Sequence, residues 1–157
     1  MILTPDEIQA IRQEAGHFPY PSAAAIEALN IAQRGHDWIS DELLREVAEV
    51  LGISPADLDS VATFYNLIYR RPVGKRVIHY CNSVSCWMLG AEDNRRHLSE
   101  RLGIGLGETT GDGEYTLLPI VCLGACDKAP VLMIGDETHF NVDPAKLDDI
   151  LGETGAP

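Results

Sequence analysis

The sequence predicts an α+β protein in which a helical bundle is followed by a small mixed sheet with helices packed on it. Three observations carry this reading. Cap-and-stop signals with helical apolar spacing recur through the first part of the chain, short β-rich runs replace them after "RRPVG" at 70–74, and the first two of those runs are separated by a crossover long enough to hold a helix. The division falls after Pro72, giving a helical region over 1–72 and a sheet region over 73–157.

The helices announce themselves in order. Thr4 is placed to cap the first, with Pro5 at its first position and Glu7 where a capping box wants it, before Ile8, Ile11 and Ala15; Gly16 is the expected stop. Ser22 is expected to cap the second, in which Ala25, Ile26, Leu29 and Ala32 recur at helical spacing, and Gly35 to end it. Ser40 precedes "DELLREVAEVL", with acids in the first turn and Leu43, Leu44, Val47, Val50 and Leu51 on one side until Gly52. "SPAD" at 54–57 repeats the cap-proline-acid signal and starts a short segment through Val61. It leads into "ATFYNLIY" at 62–69, read as core of the bundle, with Phe64, Tyr65 and Tyr69 as alternative anchors for a partner.

After the Pro-Gly turn the period changes. "KRVIHY" at 75–80 suits a strand, and Ser85 or Cys86 then opens a helix carrying Leu89, Leu98 and Leu102 to a stop at Gly103. "EYTLLPI", "VLMIG" and "THFNV" supply three more strands, the last two joined by a tight turn at 135–137. Asp143 and Pro144 start a final helix that Gly152 ends, and the terminal "GETGAP" is expected to fray.

Composition narrows the function. The 157 residues are 45% apolar, enough for a folded core, and no stretch approaches the ~18 consecutive apolar residues of a membrane span. With no signal peptide read at the start, a soluble chain in the reducing cytosol is expected, where paired cysteines point to metal more than to disulfides. Twelve basic against twenty-four acidic side chains give a formal charge of −12, which opposes binding to nucleic acid or anionic lipid. Arg70, Arg71, Lys75 and Arg76 form a local basic knot, read as solvated surface or as part of a docking surface. "GIGLG" at 103–107 follows a helix instead of opening one, so it is a helix stop and turn, not a dinucleotide loop. There is no P-loop, no G-x-S-x-G elbow and no close histidine pair.

The four cysteines carry the chemistry. Cys81 and Cys86, then Cys122 and Cys126, follow the pattern C-x4-C-x35-C-x3-C, and each pair falls where a predicted strand gives way to a loop. If those two strands are neighbours, both loops leave the same edge of the sheet and four sulfurs converge. Such a concentration of thiolate charge calls for a metal. Zinc takes four thiolates in closed structural sites, and a [2Fe–2S] cluster takes two on each iron, so spacing alone leaves both open, with inert buried or unrelated thiols as the third reading. The spacing differs from that of plant-type ferredoxins, and Ser83, Met88, Gly124 and Lys128 stand where a Rieske centre would need histidine. Backbone N–H groups of Leu123, Gly124 and Ala125 are candidates to face the sulfurs, with Gly124 allowing positive φ, while Trp87 and Met88 are expected to screen the site from water.

At these residues the chain resembles the small iron–sulfur subunit, the E subunit, of bacterial NADH:quinone oxidoreductase, respiratory complex I. "DGEYTLLPIVCLGACDKAP" at 112–130 matches the family signature around the second cysteine pair, and "VIHYCNSVSCWMLGA" is similar to the first. "SAAAIEALNIAQ" and "DLDSVATFYNLIYRRPVGK" extend the likeness over nearly the whole chain, with Tyr115 where the family usually has Phe. The resemblance implies a thioredoxin-like [2Fe–2S] ferredoxin domain over 73–157 behind the helical region. It implies one cluster on Cys81, Cys86, Cys122 and Cys126, and a non-catalytic, electron-carrying role with no side chain acting as acid, base or nucleophile. It further implies an F-like partner subunit that binds FMN and NADH, within the peripheral arm of complex I on the cytoplasmic side of the inner membrane, with no direct membrane insertion. The same module resembles the small subunit of a cytosolic NAD-dependent formate dehydrogenase or a bidirectional hydrogenase. A structural zinc module is the alternative from another class, and a thiol–disulfide enzyme lacks the C-x-x-C it would need.

Overall fold

The structure, a computed structural model, describes residues 1–153, so most of the "GETGAP" run lies outside the described residues. The chain forms two compact units, Met1–Pro72 and Val73–Pro157.

The first unit is built from α1 (Pro5–Ala15), α2 (Ala25–His36), α3 (Asp41–Leu51) and α4 (Pro55–Phe64). At the start of α1 the capping box closes in both directions: Glu7 N donates to Thr4 Oγ1 at 3.3 Å, and Thr4 N donates to Glu7 Oε2 at 2.7 Å. Ser40 and Ser54 cap α3 and α4 by accepting from Leu43 N and Asp57 N, each at 3.1 Å. The apolar stripes meet in a core that includes Ile11, Ala28, Leu29, Leu43, Val47 and Leu58.

Two expectations fail here for local reasons. Ser22 does not cap α2, because Pro21–Ala24 forms a separate 3₁₀ turn and α2 starts only at Ala25. Nor does Gly35 stop that helix, which runs through it to His36. A Cβ on Gly35 would lie 2.1 Å from Glu7 Oε1, so the missing side chain makes room for the Glu7 carboxylate. A third expectation holds only in part: within "ATFYNLIY", Ala62 and Ile68 are buried, but Phe64 is 77% exposed and Tyr65 and Leu67 also face solvent. Phe64 lies on the face of α4 opposite the stripe that Leu58 and Ala62 bury, and the chain leaves the helical path at Tyr65, which carries Tyr65 and Leu67 off that stripe as well.

The second unit holds β1 (Arg76–Cys81), α5 (Val84–Met88), α6 (Ala91–Leu102), β2 (Tyr115–Ile120), β3 (Leu132–Ile134), β4 (Glu137–His139) and α7 (Pro144–Glu153). Its strands lie in the order β2-β1-β3-β4, with β1 and β2 parallel and the other pairs antiparallel, which is the mixed sheet expected. The parallel pair needs the crossover that α5 and α6 occupy. One core cluster gathers Ile78, Leu98, Tyr115, Leu117, Leu132, Leu147 and Leu151, and a second surrounds Tyr80, Cys81, Cys86, Ile120 and Val131. The single helix expected after Cys86 is divided at Gly90, whose φ of 99° takes the chain out of helical geometry. β4 is shorter than "THFNV", since Asn141 N and Val142 N turn to the carbonyls of Lys128 and Pro130. α7 continues past Gly152 to Glu153.

Candidate metal centre

The register of the parallel pair builds the site. Cys81 closes β1 opposite Ile120 at the end of β2, so the loops that follow both strands leave the same edge of the sheet. Cys86 returns to that edge on α5 and Cys122 and Cys126 lie on the loop after β2, so two pairs 35 residues apart in sequence are brought together.

The four thiols are free and unequally placed. Cys81 and Cys86 are buried, at 2% and 1% exposure, whereas Cys122 and Cys126 are exposed. Cys122 Sγ lies 3.7 Å from Cys126 Sγ, and Cys81 is within reach of both Cys86 and Cys122. Cys126 in turn senses both Cys81 and Cys86, so the four sulfurs interact as one group at this edge of the sheet. Four thiols gathered in two pairs have the donor set that either a closed zinc site or a [2Fe–2S] cluster takes.

Backbone donors surround them. Gly124 N donates to Cys122 Sγ at 3.3 Å, and the φ of 76° at Gly124 is what aims that N–H inward. This N–H, with Cys126 beside it, holds the Cys122 thiol below its ordinary value. Cys122 in turn pushes Cys126 up, while the Ser85 hydroxyl opposes that rise. Burial, with Cys81 next to it, pushes Cys86 up to about 11, against the Val131 N–H that favours its thiolate. Buried Cys86, with its raised proton affinity, and exposed Cys122, with its backbone donor, belong to a set that a cation would deprotonate and hold.

Other expected features take different places. Trp87 and Met88 do not screen the sulfurs within this chain: they are 65% and 72% exposed, because the helical turn that points Cys86 inward points the next two residues out. With Val84, Leu89 and Val121, also exposed, they form an apolar rim flanking the cysteines. The basic knot is largely neutralised internally. Arg70 pairs with Asp41 and Asp59 at 2.7 and 2.8 Å and also donates to the Ile39 carbonyl, while Lys75 and Arg76 pair with Glu114. "GIGLG" is indeed a stop and turn, with Gly103 at φ 67° and Gly107 N donating to Leu117 O at 2.7 Å. The parts that Val131 and Ser85 play at the sulfurs do not show in the sequence, since a backbone N–H and a lone serine leave no recognisable pattern.

Residues 11–155 match the family of thioredoxin-like [2Fe-2S] ferredoxins. The chain belongs to this family. Bacterial relatives resemble it over nearly its whole length: it is 48% identical over 150 residues to the E subunit of NADH-quinone oxidoreductase from Pseudomonas aeruginosa, covering 96% of this chain and 90% of that protein. To the E subunit of the same complex from Escherichia coli K12 it is 44% identical over 149 residues, covering 95% and 90%. Among solved structures, the air-oxidised form of an NAD+-reducing [NiFe]-hydrogenase superposes with a TM-score of 0.72 at 22% identity, covering 85% of this chain and 23% of that one. The H2-reduced form gives 0.71, with this chain spanning 22% of it. At that identity the likeness establishes the family's fold. Among the described residues no helix is long and apolar enough to cross a membrane.

Proposed function

We propose that this chain is the electron-carrying [2Fe–2S] subunit of the NADH dehydrogenase module of NADH:quinone oxidoreductase, respiratory complex I, exchanging one electron with FMN on a partner subunit. The observation that carries the reading is a cysteine quartet gathered at the ends of two parallel strands in a chain similar to the E subunit over nearly its full length. Cys81, Cys86, Cys122 and Cys126 are the proposed ligands. A [2Fe–2S] cluster, when bound, supplies reversible one-electron storage. The chain's own residues hold it: two buried thiols from β1 and α5, two exposed ones from the loop after β2, and the N–H groups of Gly124 and Val131 on their sulfurs. No side chain is required to move a proton.

The proposed partner is the F-like subunit that binds FMN and NADH, in the peripheral arm on the cytoplasmic side of the inner membrane. The apolar rim of Val84, Trp87, Met88, Leu89 and Val121 is its proposed seat, since an exposed apolar patch beside a functional centre is the mark of a surface that another chain covers. In this reading 73–157 is the domain that carries the centre. The helical domain over 1–72 adds docking surface through Phe64, Tyr65 and Leu67.

Iron, zinc and acid-labile sulfide content of anaerobically purified protein, with EPR before and after dithionite, tests the proposal. About two irons and about two sulfides per chain, with a signal that appears on reduction, is the expected result. Zinc without sulfide, persisting after attempted reconstitution, would replace the electron carrier with a structural module. Cys122→Ser is expected to lose full cluster occupancy, and unaltered spectra in that variant would remove Cys122 from the ligand set.

A further inference from the structure

We propose that Lys128 is a fixed counter-charge for the cysteine-held centre, kept in place by the Phe140 ring, and that it makes the centre easier to reduce. The inference rests on the [2Fe–2S] reading above. Lys128 ends the short 3₁₀ turn Cys126–Lys128, so its backbone is continuous with that of a proposed ligand. The turn is tied on both sides: Lys128 N donates to Ala125 O at 3.0 Å, and Lys128 O accepts from Asn141 N at 2.8 Å. Its side chain is held as well, with Nζ 4.7 Å from the Phe140 ring centroid. Such a distance is within the range of a cation–π contact.

Phe140 is itself anchored where it counts. Its ring packs, partly buried, against the apolar group that includes Cys81 and Cys86, and its carbonyl accepts from Lys146 Nζ at 2.7 Å. Lys128 thus follows one cysteine pair along the backbone and, through Phe140, rests on the core that contains the other. In a chain with twelve basic and twenty-four acidic side chains, a cation fixed at this place runs against the general charge balance.

The sign of the effect follows from charge. Four thiolates make the oxidised centre an anion, and one added electron makes it more negative, so a nearby positive charge stabilises the reduced form more than the oxidised one. Removing that charge lowers the midpoint potential. Lys128 is exposed, so salt screens part of its effect and the test belongs at low ionic strength.

The test is an EPR-monitored redox titration of the full chain with its cluster, for wild type, Lys128→Met, Lys128→Arg and Phe140→Leu, with iron and sulfide measured in each. Lys128→Met is expected to reduce at least threefold less readily, a fall of about 28 mV at ~59 mV per tenfold for one electron. Lys128→Arg keeps both charge and ring contact and is expected to hold the wild-type midpoint, while Phe140→Leu keeps the charge but frees it and is expected to fall part of the way. An unmoved midpoint in Lys128→Met at full iron content would overturn the counter-charge and leave the cluster reading intact. So would a fall in Lys128→Arg as large as that in Lys128→Met, since structural disturbance would then account for both. A wild-type chain without iron and sulfide would overturn the cluster reading and this inference with it.

Discussion

Gly124 shows how a single residue shapes the site. Its φ of 76° lies where an L-residue brings Cβ against the following carbonyl, and this conformation aims its N–H at Cys122 Sγ. Nothing lies within 4 Å of a Cβ built there, so Gly124→Ala meets no steric obstacle and its cost is the backbone conformation alone, about 1 kcal/mol. The expected outcome is a normal far-ultraviolet spectrum with faster iron loss to a chelator after reconstitution; loss at the wild-type rate would mean that the N–H to sulfur bond adds nothing to retention. The residue was legible in the sequence as a candidate, because a glycine between two closely spaced cysteines reads equally as a plain turn or as a close approach of backbone to sulfur. Val131 was not, because its contribution to Cys86 is a backbone N–H that any residue but proline would provide.

At the scale of elements, the helix termini were the easiest features to read, because a cap depends on residues three apart. The Thr4–Glu7 box also makes the first unit sensitive to acid. Burial alone would raise the Glu7 carboxyl, but the Thr4 N–H and hydroxyl, with His36 at 3.3 Å, outweigh it and hold the group below its ordinary 4.5. A depressed carboxyl binds fewer protons in the folded state than in the unfolded, so its stabilisation is complete above about pH 4.5 and disappears as pH falls through the lower folded value. Urea unfolding across that range should show a shallower acid limb in Glu7→Gln than in wild type, and parallel limbs would show that Glu7 is not the group responsible. Arg70 is a second tie within the unit, joining Ile39, Asp41 and Asp59 from one guanidinium. Arg70→Ala is expected to destabilise the protein by about 2 kcal/mol, and Arg70→Lys to recover little of it, since a point charge cannot span three acceptors. Chemical denaturation of both variants measures this directly. The elements that sequence reading misplaced, the unbroken helix after Cys86 and the stop at Gly35, turn on what a glycine faces in space: a change of direction at Gly90, and the Glu7 carboxylate at Gly35.

At the scale of the molecule, the proposed docking makes a further prediction. Trp87→Asp or Met88→Asp on the exposed rim is expected to abolish copurification with the flavin-bearing partner while leaving iron content unchanged, because both side chains point away from the buried thiols. Retained association would move the interface elsewhere, with the exposed Phe64 and Tyr65 next to be changed. Cysteine spacing, cap residues and the order of strand, crossover and strand were determined by the sequence itself, because each is a relation between residues near one another along the chain. The meeting of the two cysteine pairs was decided only by the tertiary structure, through the parallel register that sets Cys81 opposite Ile120. So were the outward face of Trp87, the internal pairing of the basic knot and the seating of Lys128 on Phe140. Each depends on which face of a strand or helix is buried and on what distant segment covers it, and only the packed core settles that.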